Sequence, residues 1–192
     1  MRSLTLTLAA AAVSTLVGCS EPRPGGAGAD YPATPTAAAA RSAGPSAVAN
    51  LQATRGNTAA GTVTFVQQQG DAVMVTAKVT GLKPGREHGF HIHEKGDCSS
   101  GDGLSTGGHF NPTGKKHGPQ NAEHHAGDFP ALRADANGTA EATFRADGLS
   151  IGSGEADIVG KGLIVHADPD DYTTQPTGNS GARVACAVIT KA

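Results

Sequence analysis

From residue 48 onward the apolar residues of this chain recur in short runs of period two, and no stripe of period 3.6 long enough for a useful helix interrupts them. That pattern commits the chain to strands. Residues 61–68 (GTVTFVQQ) place Val63 and Phe65 on one face, and residues 72–80 (AVMVTAKVT) place Val73, Val75, Ala77 and Val79 on one face, with a turn at Gly70-Asp71 between them. Together they read as an antiparallel hairpin. Further strands are expected near residues 87–93, 130–135, 139–145, 158–166 and 183–190, with Leu51–Thr54 as a first. Asn137-Gly138 favours a tight hairpin turn between 130–135 and 139–145. Seven or eight such strands in about 145 residues indicate one all-β sandwich or barrel around a single core.

Two stretches, 94–129 and 167–182, do not fit this meander. Connections that long inside one domain are usually functional or disordered. The first is rich in Gly, His and Asp and holds Cys98 and four of the eight histidines, which favours function.

Met1-Arg2 followed by the apolar run Leu4–Val17 has the form of an export signal, too short to span a bilayer. Leu16-Val17-Gly18-Cys19 resembles the bacterial lipobox, in which the cysteine becomes the acylated first mature residue. More than one acyl chain on Cys19 would meet the two-signal requirement for stable anchoring. Residues 20–47 are mostly Ala, Pro, Gly, Ser and Thr, with too little apolar surface to offset the entropy of ordering. The expected organisation is a signal at 1–18, a flexible tether at 19–47 and one domain at 48–192, in the periplasm or cell envelope and held to a membrane through Cys19.

With 15 basic and 17 acidic residues, the chain carries no basic patch that would suit nucleic acid. Removing residues 1–18 takes away only Arg2, leaving 14 minus 17, a net charge of −3. Apart from the lipobox Cys19 only Cys98 and Cys186 remain, an even pair in an oxidising compartment, so a disulfide between them is expected. Closing a loop of that length is worth roughly 4 to 5 kcal/mol in the chain-entropy model, less any strain.

In GFHIHE, His91 and His93 alternate with Phe90 and Ile92, so a strand sends both imidazoles to one side and both apolar groups to the core. Two neutral imidazoles about 7 Å apart along a strand can converge on one ion. The long loop then carries His109, His117, His125 and Asp128, spaced His-x7-His-x7-His-x2-Asp. Three imidazoles and a carboxylate complete a closed tetrahedral zinc site, and metal binding would supply the free energy that orders a Gly-rich loop.

These residues carry a family resemblance. GFHIHE (89–94), GGHFNP (107–112), KHG (116–118), HAGD (125–128), LIVHAD (163–168) and GARVAC (181–186) resemble the copper,zinc superoxide dismutases in order and approximate spacing, over essentially Leu51 to Ile189. The resemblance implies a Greek-key β-sandwich and an enzyme that converts superoxide to O₂ and hydrogen peroxide. It implies one copper per chain on His91, His93, His109 and His166, alternately reduced and reoxidised, and one zinc on His109, His117, His125 and Asp128. His109 would join the two ions as a shared imidazolate and pass a proton to the product. Arg183 would be the active-site arginine, and Asp170 would link a copper-binding histidine to a zinc-binding one. His88 would be a structural hydrogen-bonding residue, and His124 lacks the His-x-x-Asp spacing that His125 has. The segment from Asp170 to Arg183 is short, with Pro176 where many eukaryotic members carry lysine and none of their acidic pair, while Thr177 keeps the position of the channel threonine. That looks like the bacterial branch.

Zinc has no second oxidation state to use, so copper must be the redox ion, and imidazoles suit both. Superoxide is an anion and the chain is anionic, so the always-charged Arg183 is the local correction. A copper-delivery domain on the same sandwich would need neither Arg183 nor a shared ligand, and a copper-only dismutase would lack zinc ligands. A structural cell-surface sandwich would explain the strands but not the motif order. The sequence leaves monomer and homodimer open.

Overall fold

The hairpin expected at 61–80 forms where alternation placed it: Val63, Phe65, Val73, Val75, Ala77 and Val79 are all buried, and the strands pair from Ala60↔Thr80 to Gln67↔Val73. The computed structural model describes residues 44–192. Its strands are β1 (Ser46–Ala53), β2 (Ala60–Gln67), β3 (Ala72–Thr80), β4 (Glu87–His88), β5 (Phe90–His93), β6 (Leu132–Arg133), β7 (Ala140–Asp147), β8 (Gly162–His166), β9 (Arg183–Val188) and β10 (Thr190–Lys191). A single 3-10 turn, Leu104–Thr106, is the only helical element among the described residues. The expected signal, lipobox and most of the tether lie outside the described residues. β1 begins at Ser46, two residues before the boundary expected at 48, and runs well ahead of the short strand expected at Leu51–Thr54.

Eight strands form one curled antiparallel sheet in the order β5-β8-β9-β1-β2-β3-β7, with β10 beside the start of β1. β1 joins the two halves: residues 46–51 pair with β2, while Gln52 and Ala53 pair with Cys186 and Ala185 of β9. Because β7 lies beside β3 and β5 beside β8, the chain crosses between the halves as a Greek key does. The all-β, antiparallel class read from the sequence is the one observed.

Three details depart from the sequence reading. The single strand expected at 87–93 is split at Gly89, where a Cβ would press on Ser180 and the His91 ring, so β4 pairs with β6 while β5 pairs with β8. Asn137-Gly138 does make a turn: Gly138 takes positive φ and donates to the Asp135 carbonyl at 3.1 Å, and Asp135 N donates to Thr139 O at 2.8 Å. Beyond it the flanking strands part, β6 to β4 and β7 to β3, so that hairpin does not extend. Last, 158–161 forms a turn and only Gly162–His166 is strand.

Between the sheet halves, Phe65, Phe90, Phe129, Leu51, Leu132, Leu163 and Ile189 fill a continuous core. Phe90 and Phe129 pack at 5.4 Å between ring centroids, and the Phe144 ring centroid lies 5.2 Å from that of Phe129. Each fully buried ring is worth roughly 1.5 to 3 kcal/mol of transfer free energy. Phe129 lies at the end of the first long stretch and Phe90 at the start of β5, so this cluster fastens the loop to the strand that carries two of the histidines.

Candidate metal centre

β5 is buried on both faces, with Phe90 and Ile92 toward the core and His91 and His93 opposite. The first long stretch lies along its free edge. Ile92 N donates to Gly127 O at 2.9 Å, Phe110 N to Ile92 O at 2.8 Å, and Glu94 N to Gly108 O at 2.9 Å, placing His109 beside His93 and Asp128 beside His91. Gly127 permits the approach, since a Cβ there would collide with the Ile92 carbonyl. Backbone pairing and the buried rings of Phe110 and Phe129 therefore order this loop together with whatever ion it holds, whereas the sequence suggested metal alone.

Two groups of side chains converge: His91, His93, His109 and His166, and His109, His117, His125 and Asp128. Within each, every residue offers a ligand atom within 4.8 Å of the others, and all seven residues are buried. His109 belongs to both, its ring centroid 4.0 Å from that of His91, 5.0 Å from His93, 5.3 Å from His117 and 5.6 Å from His125. Of the two histidines outside these groups, His88 is buried and its Nδ1 donates to the His166 carbonyl at 2.8 Å. His124 is half-buried and its Nδ1 meets the Ala122 carbonyl at 2.7 Å.

The hydrogen bonds fix which nitrogen of each ring faces an ion. His91 Nε2 donates to Asp170 Oδ2 at 2.6 Å, His93 Nδ1 to Gly107 O at 2.9 Å, His166 Nδ1 to Gly181 O at 3.2 Å, and His117 Nε2 to Asp170 Oδ1 at 2.9 Å. A ring that donates through one nitrogen presents a lone pair at the other. Those others are His91 Nδ1, His93 Nε2, His166 Nε2 and His117 Nδ1; the first three and His109 Nε2 are buried without a hydrogen-bond partner, while His117 Nδ1 and His125 Nδ1 turn to the Asp128 carboxylate. Leaving one such atom unsatisfied costs roughly 1 to 3 kcal/mol, so four gathered in the first group, beside a second group of imidazoles around one carboxylate, fit bound cations.

Asp128 completes the second group. Its Oδ1 lies 2.7 Å from His109 Nδ1 and 3.2 Å from His125 Nδ1, and its Oδ2 lies 3.0 Å from His117 Nδ1 while accepting the backbone N–H of His125 at 2.9 Å and Gly118 at 3.2 Å. Desolvation opposes its charge, but those imidazoles hold the carboxyl far below the usual range. Burial pushes His93, His166 and His91 down and holds His109 at about 4, so these rings stay neutral and available as ligands near pH 7. His117 departs from them: burial lowers it, yet Asp128 and Asp170 on its two nitrogens prevail and raise it to about 9.

Arg183, the first residue of β9, faces the first group across a cleft of about 260 Å³ lined by His93, His166, Thr177 and Gly181. Nη1 donates to Gly103 O at 2.6 Å and Thr106 Oγ1 at 2.8 Å, and Nη2 to Gly107 O at 2.7 Å. Cys186, on the same strand, is joined to Cys98, tying the first loop to β9. Gly103, Thr106 and Gly107, which hold the guanidinium, carry no signal in the sequence beyond lying in the long loop. Gly178 was missed for a similar reason: at φ 66° it leaves the space in which Asp170 Oδ1 and His117 Nε2 meet, and a Cβ would fill it.

A Greek-key β-fold with two adjacent, buried, histidine-rich ion sites sharing one ring defines a binuclear metalloenzyme. The model of the family described as copper/zinc superoxide dismutase (SODC) matches residues 59–189. The chain is 44% identical over 140 residues to "Superoxide dismutase [Cu-Zn] 3" of Arabidopsis thaliana, covering 69% of this chain and 84% of that protein. It is 45% identical over 136 residues to "Superoxide dismutase [Cu-Zn] 2" of Brassica juncea, covering 67% and 88%. Among solved structures it resembles the clock protein EA4 (TM-score 0.69, 43% identity, 76% of this chain and 93% of that one) and a double mutant of a SOD-like protein from Bacillus subtilis (TM-score 0.67, 36% identity, 74% and 96%). The chain belongs to the copper/zinc superoxide dismutase family. It is an oxidoreductase whose cofactors are copper and zinc, and its two histidine groups suit those ions.

Proposed function

We propose that this enzyme dismutates superoxide outside the cytoplasm, protecting the cell envelope, with copper on His91, His93, His109 and His166 and zinc on His109, His117, His125 and Asp128. The observation that carries the residue assignment is the convergence of buried ligand atoms, within 4.8 Å of one another, into two groups with His109 common to both. When bound, copper supplies one-electron exchange with superoxide in both directions, and zinc, without redox chemistry, fixes the loop and polarises the shared ring.

The rest is the work of the chain. Arg183, held by Gly103, Thr106 and Gly107, presents positive charge at a cleft that the net-negative protein would otherwise make repellent to an anion. Asp170, Gly107 and Gly181 hold the rings of His91, His93 and His166 in one tautomer, so their lone pairs need no reorganisation. His109 Nε2 faces the first group and is the atom at which a proton is taken up and returned as peroxide forms, the second proton coming from water.

Export, acylation at Cys19 and membership of a bacterial branch rest on the sequence: the apolar run Leu4–Val17, the Leu16-Val17-Gly18-Cys19 string, and the short Asp170–Arg183 segment. Superoxide decay measured beside copper and zinc content on purified full chain tests the activity: loss of decay on removing copper, restored by copper alone among redox ions, is expected, and decay unaffected by its removal would refute it. Fractionation of cells expressing the parent and Cys19→Ser tests the anchor. The parent should pellet with membranes and the variant should not.

A further inference from the structure

We propose that Gln175 is a positioning residue for the zinc site, a clamp from the second long loop that holds the backbone of His117 so that its Nδ1 stays turned into the zinc group.

His117 lies in a stretch with no regular structure, yet its polar atoms are fully committed. Its N–H donates to Gln175 Oε1 at 2.9 Å, and its C=O accepts from Gln175 Nε2 at 2.9 Å. Only one orientation of the Gln175 amide satisfies both bonds, so the side chain reads this backbone as a strand neighbour would. The ring is fixed from the same segment: Nε2 donates to Asp170 Oδ1, and the Tyr172 ring lies 5° from parallel to it at 6.5 Å between centroids. Tyr172 is itself secured at φ 54°, its N–H on Asp170 Oδ1 at 2.7 Å and its hydroxyl accepting from Ala131 N at 2.8 Å. The segment closes on itself through Asp171 N to Gly178 O at 3.0 Å and Gly178 N to Thr174 O at 2.7 Å. Backbone N, backbone O and ring Nε2 of His117 thus all go to residues 170–175, while Nδ1 alone faces the zinc group, 3.0 Å from Asp128 Oδ2.

Gln175 is otherwise exposed, so truncating it removes the two hydrogen bonds to His117, a longer one to the Thr173 carbonyl at 3.3 Å, and almost no buried apolar surface. A clamp and a packing residue therefore behave differently. Loss of an interaction that orients a ligand typically weakens a metal site by about 10- to 100-fold.

The inference rests on the assignment of His117 to zinc, and the test separates the two. Full chain loaded with copper and zinc is mixed with a chromophoric zinc chelator, and metal release is followed for the parent, Gln175→Ala, Gln175→Glu and His117→Ala. Gln175→Ala should release zinc about 10- to 100-fold faster with copper retention unchanged, exchange the His117 amide proton faster, and alter the visible bands of cobalt placed in the zinc position. Gln175→Glu keeps the acceptor for the His117 N–H but turns a carboxylate on its carbonyl, so amide protection should persist while zinc release is intermediate. Parental zinc release and cobalt spectrum in Gln175→Ala would overturn the clamp, as would copper leaving as fast as zinc, which marks general loosening. Full zinc in His117→Ala would overturn the zinc assignment instead.

Discussion

His91 Nε2 and Asp170 Oδ2 are 2.6 Å apart across 79 residues of sequence, both with fully buried side chains, and the other oxygen of the same carboxylate serves His117. One acid thus sets the ring orientation in both ion sites. Asp170→Asn replaces one acceptor by an amide NH₂ that faces a ring N–H. Zinc content should fall by about tenfold or more at fixed chelator, with a change in the copper electron paramagnetic resonance spectrum, because His91 shares the acid. Unaltered metal analysis and spectrum would remove Asp170 from this role.

Arg183→Ile should lower kcat/KM by about tenfold or more while copper content is unchanged. The remaining activity should also depend less on ionic strength, since field focusing toward the cleft is what salt screens, and superoxide dismutases are a known case of such steering. Superoxide decay at low and high salt, on variant and parent matched for copper, is the measurement.

Cys98→Ser frees the first loop from β9 and opens a covalent loop of 88 residues. Unfolding free energy should drop by about 2 to 5 kcal/mol, read as a lower urea midpoint. The carbonyls of Gly103 and Gly107 that hold Arg183 lie in the released segment, so activity per copper should fall as well.

The metal-free protein should lose stability on mild acidification. His109 titrates at about 4 when folded, and His93 and His166 well below 6.5, because burial disfavours their charged forms. Depressed values mean that stability is complete above about 6.5 and declines as pH falls from there toward 4, where the unfolded chain binds protons that the folded one refuses. His117, raised to about 9, acts in the opposite sense: its contribution is present below about 6.5 and fades as pH rises through 9. Urea midpoints of chelator-treated protein between about pH 5 and 9 should peak near neutrality, and a midpoint flat from about pH 7 to 5 would contradict the burial argument.

Most of the metal centre was legible because its chemistry is carried by rare residue types at telling spacings. His91 and His93 could be put on one side of a strand from alternation, and His109, His117, His125 and Asp128 could be grouped because imidazole and carboxylate in such a series have few other uses. The supporting residues were not legible. Thr106 and Gly107 hold Arg183 through a hydroxyl and a carbonyl, and Gln175 grips a backbone, so their roles depend on where two remote loops meet. The fold was read at the level of alternation, which finds β2 and β3 almost to the residue. Alternation carried no warning that β6 and β7 part after a turn at Asn137-Gly138, because a dipeptide specifies the bend and not what the strands pair with afterwards.

β1 is about 26 Å long at the usual rise, and at its far end Thr54 Oγ1 donates to the Arg183 carbonyl. At its near end Ala47 is flanked by Phe65 on one side and Lys191 on the other. A pull along β1 from ahead of Ser46 loads the row to β2 and the short pairings to β10 and β9 in shear, lengthwise, and does not unzip them one at a time. The cleft beside Arg183 is thereby separated from traction at the amino-terminal side by the length of a strand anchored to β2 along residues 46–51, to β10 at 47–48 and to β9 at 52–53.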